Sequence, residues 1–308
     1  MRIVVLGSAA GGGFPQWNCN CANCRSVRAG NALTQARTQS SLAVTVDGEH
    51  WYLLNASPDI RQQIERTSCL QPRGDAPRAS PIAGVVLTNA DVDHVAGLLS
   101  LRERQRMTVY ATDRVLRVLS ANAIFGVLDP SLVARRVLSL DQRLDLDSDP
   151  KGAGLAVTAF AVPGKVALWL EGASDGDPRG SGEDTIGLEL ADRASGNRFF
   201  YVPGCAAMTP ELANRLRGAP LVFFDGTTWT DDEMRTAGVG EKTAGRMGHM
   251  CMAGPAGSMA AFDGLDVPRK IFVHINNTNP VLLADSSERR EVEARGWQIA
   301  EDGMEITP

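Results

Sequence analysis

Histidine is scarce in this 308-residue chain, with four copies: His50, His94, His249 and His274. A chain so sparing with imidazole draws attention to where it spends it, in Asp93-His94 and in Val273-His274-Ile275-Asn276-Asn277. Runs of Lys or Arg are absent, and with a net charge of −5 and a pI near 5.5 the chain lacks the basic face that nucleic acid requires. No apolar run approaches the roughly 18 residues that span a bilayer. The segment 1–6 is strand-like from its first residue and carries neither the basic stretch nor the longer apolar run of a signal peptide. The expectation is a cytoplasmic protein without a membrane span. Six cysteines are too few for a disulfide scaffold at this length, and three of them crowd into six positions.

At 44% apolar and 22% charged residues the composition is that of an ordinary globular chain. Residues 2–6 read as a buried strand running into a Gly-rich turn, 7–13. Segments 41–46 and 51–55 flank Asp47-Gly48 as a hairpin. Residues 59–66 read as a helix capped by Ser57-Pro58, 71–81 as a polar loop, and 82–87 as a strand. Helical periodicity follows over 93–103, then a strand at 108–111 and a helix at 113–125. Further strands are expected at 155–162, 185–190, 198–202, 221–224 and 270–275, and a last helix at 286–294. Residues 172–184, rich in Gly, Asp and Ser, read as the most disorder-prone surface loop. Hairpins interleaved with strand-helix units predict two mixed sheets with helices outside, in one α/β domain covering 1–308.

Cys19-Asn20-Cys21-Ala22-Asn23-Cys24 places three thiolates where they can converge on one tetrahedral soft cation, as in a structural zinc site. Three unlinked core cysteines are the alternative, and their crowding in a Gly/Asn-rich loop weighs against it. Asn277, His249 and Cys251 are the candidates for a fourth ligand. The turn Gly7-Ser8-Ala9-Ala10-Gly11-Gly12-Gly13 lacks the G-x-G-x-x-G spacing of a dinucleotide site. It reads instead as a tight loop that brings backbone close to a site.

Thr88-Asn89-Ala90-Asp91-Val92-Asp93-His94 closes the strand at 82–87 with an Asp-His pair. By itself the pair fits a helix cap with a histidine packed nearby as well as it fits two ligands. His274, at the end of another apolar strand, favours ligands. Two histidines and one carboxylate presented from strand ends form a facial triad with an open side, the arrangement that suits non-haem Fe(II) and that also accepts Zn(II), Mn(II) or Cu(II). His249 is either a proton donor beside that site or a loop histidine. His50 reads as structural, and the Met247, Met250, Met252, Met259 patch as flexible packing or a substrate-facing surface.

With these residues assembled, the chain resembles the metallo-β-lactamase superfamily, and within it the branch associated with making the redox cofactor pyrroloquinoline quinone (PQQ). The resemblance spans essentially the whole chain. It is carried by the Gly-Ser-Ala-Ala-Gly-Gly-Gly turn, Trp17-Asn18-Cys19, residues 89–97 and Val273-His274-Ile275-Asn276-Asn277-Thr278-Asn279-Pro280. It implies an αββα sandwich with a metal cleft at the edge loops. Against the superfamily's His-x-His-x-Asp-His signature, Asn89 and Asp91 replace the first two histidines, while Lys165 follows Pro163-Gly164 where the third usually lies. The first metal site is therefore dismantled, and the Lys165 ammonium is expected to replace part of the missing cation's charge. Cys205 stands where the superfamily places a bridging aspartate. Asp93, His94 and His274 keep the second site.

What the resemblance implies for function is an Fe-dependent oxygenase hydroxylating the tyrosine ring of a Glu-Tyr unit derived from the precursor peptide PqqA, towards a catechol or quinone. Asp91, Asp225, His249 and Lys165 would be its catalytic side chains. Two other readings are a carrier of PQQ or its precursors towards the periplasm and a residual mononuclear zinc hydrolase. Oligomeric state is left open, a homodimer being among the options.

Overall fold

A computed structural model describes residues 1–146, 154–170 and 181–308. Fourteen strands form two seven-stranded sheets among the described residues. The first sheet takes β1 (Arg2–Gly7), β2 (Ser41–Thr45), β3 (Trp51–Leu54), β4 (Ile82–Val86), β5 (Met107–Ala111) and β6 (Val133–Val137). The second takes β7 (Arg143–Asp145), β8 (Leu155–Ala161), β9 (Ile186–Asp192), β10 (Arg198–Val202), β11 (Leu221–Asp225), β12 (Arg269–Val273) and β13 (Trp297–Ile299). The chain then returns to the first sheet with β14 (Glu305–Ile306). Spatial order is β14-β1-β2-β3-β4-β5-β6 in one sheet and β13-β12-β11-β10-β9-β8-β7 in the other. Each sheet mixes antiparallel hairpins, β2 with β3 and β9 with β10, with a parallel run, β3 to β6 and β10 to β13.

The strands are apolar on both faces because both are covered. Along β1, Ile3 and Val5 point into the layer between the sheets, where they meet Leu188, Tyr201, Phe223 and Ile271. Val4 and Leu6 point outward beneath Ile60, Val115 and Leu119 of the helices Ile60–Arg66 and Asp113–Ala121. The outer face of the second sheet, with Phe200, Phe224 and Phe272, is covered by Leu212, Phe262, Val292 and the cysteine loop. Period-two alternation thus serves two cores at once. The layering is αββα. No helix among the described residues is long and apolar enough to cross a membrane.

Several local expectations are corrected. The helix expected over 93–103 is one short turn, Val92–Val95, continued as a 3₁₀ segment, Ala96–Leu99. Gly97 explains the tightening: its amide bonds the Ala56 carbonyl at 2.9 Å, and a Cβ there would stand 2.2 Å from the Ser57 carbonyl oxygen. Asp91, not Asp93, occupies the N-cap of that turn. The helix after β5 stops at Ala121 and passes through Asn122 into a 3₁₀ turn, Ala123–Val127. The helix Ile60–Arg66 is capped at Asp59, with no side-chain cap bond, rather than at Ser57-Pro58. Of the Gly/Asp/Ser-rich stretch 172–184, residues 172–180 lie outside the described residues. The patch methionines Met250, Met252 and Met259 are buried in the outer core of the second sheet.

Candidate metal centre

Parallel pairing brings the ends of neighbouring strands to one edge, and the polar side chains that follow those strands meet there. Asp225 closes β11 in register with Val273 of β12, and His274 follows with φ of 58°. From the other sheet, β4 runs into the Thr88–Asp91 loop, tied across by a bond from the Ile186 amide to the Thr88 carbonyl at 2.9 Å. The glycine turn after β1 joins the two: the Ala10 amide bonds the Ile275 carbonyl, and the Ile275 amide bonds that of Ser8. A Cβ on Gly11 would lie 3.3 Å from the Asp93 carboxylate, so the turn does bring backbone close to the site.

Asp93, His94 and His274 each offer a ligand atom within 4.8 Å of the others'. Asp93 Oδ2 lies 3.0 Å from His274 Nε2 and 3.8 Å from His94 Nε2. His94 is buried, and its Nε2 has no hydrogen-bond partner among the described residues. A buried lone pair left bare in this way costs free energy unless something fills it. A divalent ion between these three atoms would fill it, and carboxylate plus two imidazoles is a donor set that such ions accept. The residues fit the group.

Electrostatics agree. Burial alone would raise the Asp93 carboxyl, but His94 and His274 outweigh it and hold the group below the usual carboxylate range. Burial lowers His94, against the pull of Asp93. For His274, burial is outweighed by the hydrogen bond and charge of Asp93, which raise it. Two imidazoles around one carboxylate therefore differ in proton affinity because only one of them touches it.

Behind the three lies a second layer in which Thr227 and Asn55 join Asn89, Asp91, Asp225 and His249. Asn89 Oδ1 accepts from His94 Nδ1 at 2.7 Å and from the Asp91 amide at 3.0 Å, while Asn89 Nδ2 donates to Asp91 Oδ2 at 3.2 Å. Thr227 Oγ1 stands 2.8 Å from His274 Nδ1 and donates to Asp225 Oδ1 at 2.6 Å. Asp225 is fully buried and also accepts the Cys205 amide at 2.9 Å and His249 Nδ1 at 2.7 Å. The His249 ring stacks on that of His274, centroids 5.2 Å apart. Asn55, at φ of 62°, grips Thr88 through both ends of its amide. No motif flags Thr227 or Asn55, since a threonine or asparagine after a strand is commonplace.

The remaining expected residues fall as follows. Lys165 lays its stem against Gly248, where a Cβ would be 3.0 Å from Lys165 Cγ, one residue from His249. The Cys205 thiol is pushed up to about 12 by burial and by Asp225, which keeps it protonated, and its Sγ donates to the Ala207 carbonyl. His50 pairs with Asp47 in its hairpin, away from the centre.

Cys19, Cys21 and Cys24 converge as a buried group on the outer side of the second sheet. The helix Ala22–Arg28 starts within the motif and brings Cys24 back towards the other two. Asn277 sends its side-chain amide to all three sulfurs, at 3.1, 3.7 and 3.3 Å. Of the three candidates for a fourth ligand the structure brings this one to the cluster. His249 lies with Asp225, and Cys251 donates to the Ala253 carbonyl. Burial pushes the Cys24 thiol up to about 11.

Glu233 clamps the segment that follows His274. Its carboxyl accepts the Trp229 amide and the Thr278 hydroxyl, each at 2.5 Å, and burial pushes it up to about 7. A carboxyl raised above its ordinary 4.5 binds its proton more tightly folded than unfolded. Its contribution to stability is thus full below pH 4.5 and is lost as pH rises through about 7. Thermal unfolding between pH 5 and 8 is expected to show the wild type losing melting temperature with rising pH more steeply than Glu233→Gln. Superimposable profiles would refute this.

Two packed mixed sheets with polar ligands gathered at their strand ends are the hallmark of a metallo-β-lactamase-type protein. The beta-lactamase superfamily domain model matches residues 50–275. Coenzyme PQQ synthesis protein B of Rhodopseudomonas palustris (strain BisB5) is 53% identical over 309 residues, covering 100% of this chain and 99% of its own. The protein of the same name from Gluconacetobacter diazotrophicus is 54% identical over 306 residues, 99% of each. Zn(2+)-bound PqqB from Methylobacterium extorquens superposes with a TM-score of 0.95 at 50% identity over the full length of both chains. A diphosphatase of the PhnP family shares the fold, with a TM-score of 0.68 at 19% identity over 100% of this chain and 97% of its own. The chain belongs to the beta-lactamase superfamily and, within it, to the coenzyme PQQ synthesis protein B family.

Proposed function

We propose that this chain acts in PQQ biosynthesis as a mononuclear non-haem iron oxygenase that hydroxylates the tyrosine ring of a Glu-Tyr unit derived from PqqA. One observation carries the metal assignment: the bare, buried Nε2 of His94 beside Asp93 and His274. Full-length similarity to coenzyme PQQ synthesis proteins supports the pathway, and the zinc held by the related PqqB supports metal binding. Asp93, His94 and His274 would hold Fe(II), which when bound supplies activation of dioxygen. Each hydroxylation places one oxygen atom of O2 on the ring and releases the other as water, drawing two electrons from an external reductant.

This chain's own groups do the rest. The Asp225–His249 pair accepts the phenolic or amine proton, His249 being the partner with some solvent exposure. Asp91 orients water at the mouth of the loop, and the Lys165 ammonium offsets the negative charge gathered by Asp91, Asp93 and Asp225. At the cysteine cluster, Cys19, Cys21 and Cys24 would hold a structural Zn(II), with Asn277 offering Oδ1 as fourth ligand once its amide, whose Nδ2 here donates to the sulfurs, turns over.

Dipyridyl treatment followed by reloading tests the reading. With reductant and Glu-Tyr peptide, Fe(II) is expected to restore oxygen uptake and a product heavier by one oxygen, and Zn(II) is not. Stoichiometric binding of peptide or PQQ with no oxygen consumed under any metal would overturn it in favour of a carrier.

A further inference from the structure

We infer that Asn89 and Thr227 are positioning residues that fix both ligand histidines with the proton on Nδ1, so that each presents a bare Nε2 to a single metal ion. The inference rests on the metal centre proposed above and assigns a new task to the position where the superfamily signature has its first histidine. The Asn89 amide cannot turn over without loss, because Nδ2 donates to the Asp91 carboxylate and Oδ1 accepts the Asp91 amide. Its oxygen therefore faces His94 Nδ1 at 2.7 Å, and that nitrogen must be the donor. The lone pair is left on Nε2, the buried atom that has no other partner among the described residues.

Thr227 plays the matching part on the other strand. Asp225 Oδ1 only accepts, as does the His274 carbonyl at 3.0 Å, so the single Thr227 hydroxyl proton is committed to an oxygen. Thr227 can then only accept from His274 Nδ1, 2.8 Å away. Nε2, which donates to Asp93 Oδ2 at 3.0 Å without an ion, is then the nitrogen that gives up its proton when a metal binds between them. A position that elsewhere ligates has become the group that aims a ligand. Its counterpart on the other strand is tied through Asp225 to His249, so the aim of His274 and the placement of His249 share one anchor. Partners behind metal-bound histidines fix tautomer and ring orientation, and losing one typically weakens metal binding about 10- to 100-fold.

The probe is Mn(II), whose hard character keeps it away from the cysteine cluster. Free Mn(II) is read by electron paramagnetic resonance on the full chain with zinc present at the cysteines. Asn89→Leu and Thr227→Val are each expected to raise the Mn(II) dissociation constant about 10- to 100-fold, with Thr227→Ser restoring it to near wild type. Imidazole ¹⁵N shifts of the metal-free wild type give a readout that does not depend on a variant folding, and are expected to show His94 as the Nδ1–H tautomer. Folded variants that bind Mn(II) as the wild type does, or an Nε2–H tautomer for His94, would overturn the inference. Wild type that binds no Mn(II) would instead sink the metal centre itself.

Discussion

Asp93→Ala is expected to abolish divalent-metal binding at the strand-end centre, and with it all iron-dependent oxygen uptake. Asp93 is the only carboxylate of the three-atom group, so it supplies the one negative charge among the donors to a divalent cation. Its Oδ2 lies within reach of both Nε2 atoms, so its removal separates the pair electrostatically as well as deleting a ligand. Loss of a direct ligand should exceed the 10- to 100-fold cost of losing an outer partner, so the Mn(II) dissociation constant is expected to rise by more than about 100-fold. The fold should survive, because Asp91 rather than Asp93 caps the short helix and no core side chain changes. Circular dichroism, Mn(II) titration and peptide turnover on one preparation check this. Wild-type hydroxylation by iron-loaded Asp93→Ala would end the oxygenase assignment at these residues.

Cys24→Ser is expected to remove one zinc per chain and to destabilise the fold by roughly 3–5 kcal/mol, about 10 °C in melting temperature. The size follows from what the cluster joins. Cys24 is fully buried, and through Asn277 the cluster fastens the N-terminal loop to the segment that follows His274. Asn23 adds bonds from its amide to the Asn277 and Asn279 carbonyls at 3.2 and 3.0 Å. Without the ion, three buried thiols crowd one another within 4.8 Å. Serine would add a buried hydroxyl with no ion to meet. Plasma emission analysis of zinc alongside thermal unfolding measures both effects. Unchanged zinc content and melting temperature would show that the thiols merely pack.

Two very different arrangements lie behind one sequence pattern of polar residues after apolar strands. At the cysteine loop, spacing alone holds the donors near one another, because six consecutive residues cannot place them far apart. At the strand ends, Asp93 and His274 are separated by 181 positions and meet only through the sheets. Local pattern also misjudged the helices. Apolar spacing over 93–103 fits a helix, yet the close approach of Gly97 to the Ala56 and Ser57 carbonyls turns the chain into a tighter winding. That approach involves a different strand end and leaves no trace in the periodicity.

By itself the sequence determined ten of the fourteen strands, though not β6, β7, β13 or β14, together with the cysteine group and the Asp93, His94 and His274 set, because these depend on side-chain type at short spacing. Tertiary structure alone decided which atoms of those ligands face one another. It also turned Asn89 from a missing ligand into the partner of His94, joined Thr227 to His274, and brought the Asn277 amide to the cysteines. The physical reason is that hydrogen-bond direction is set where chain segments distant in sequence cross, and residue type carries no record of that crossing.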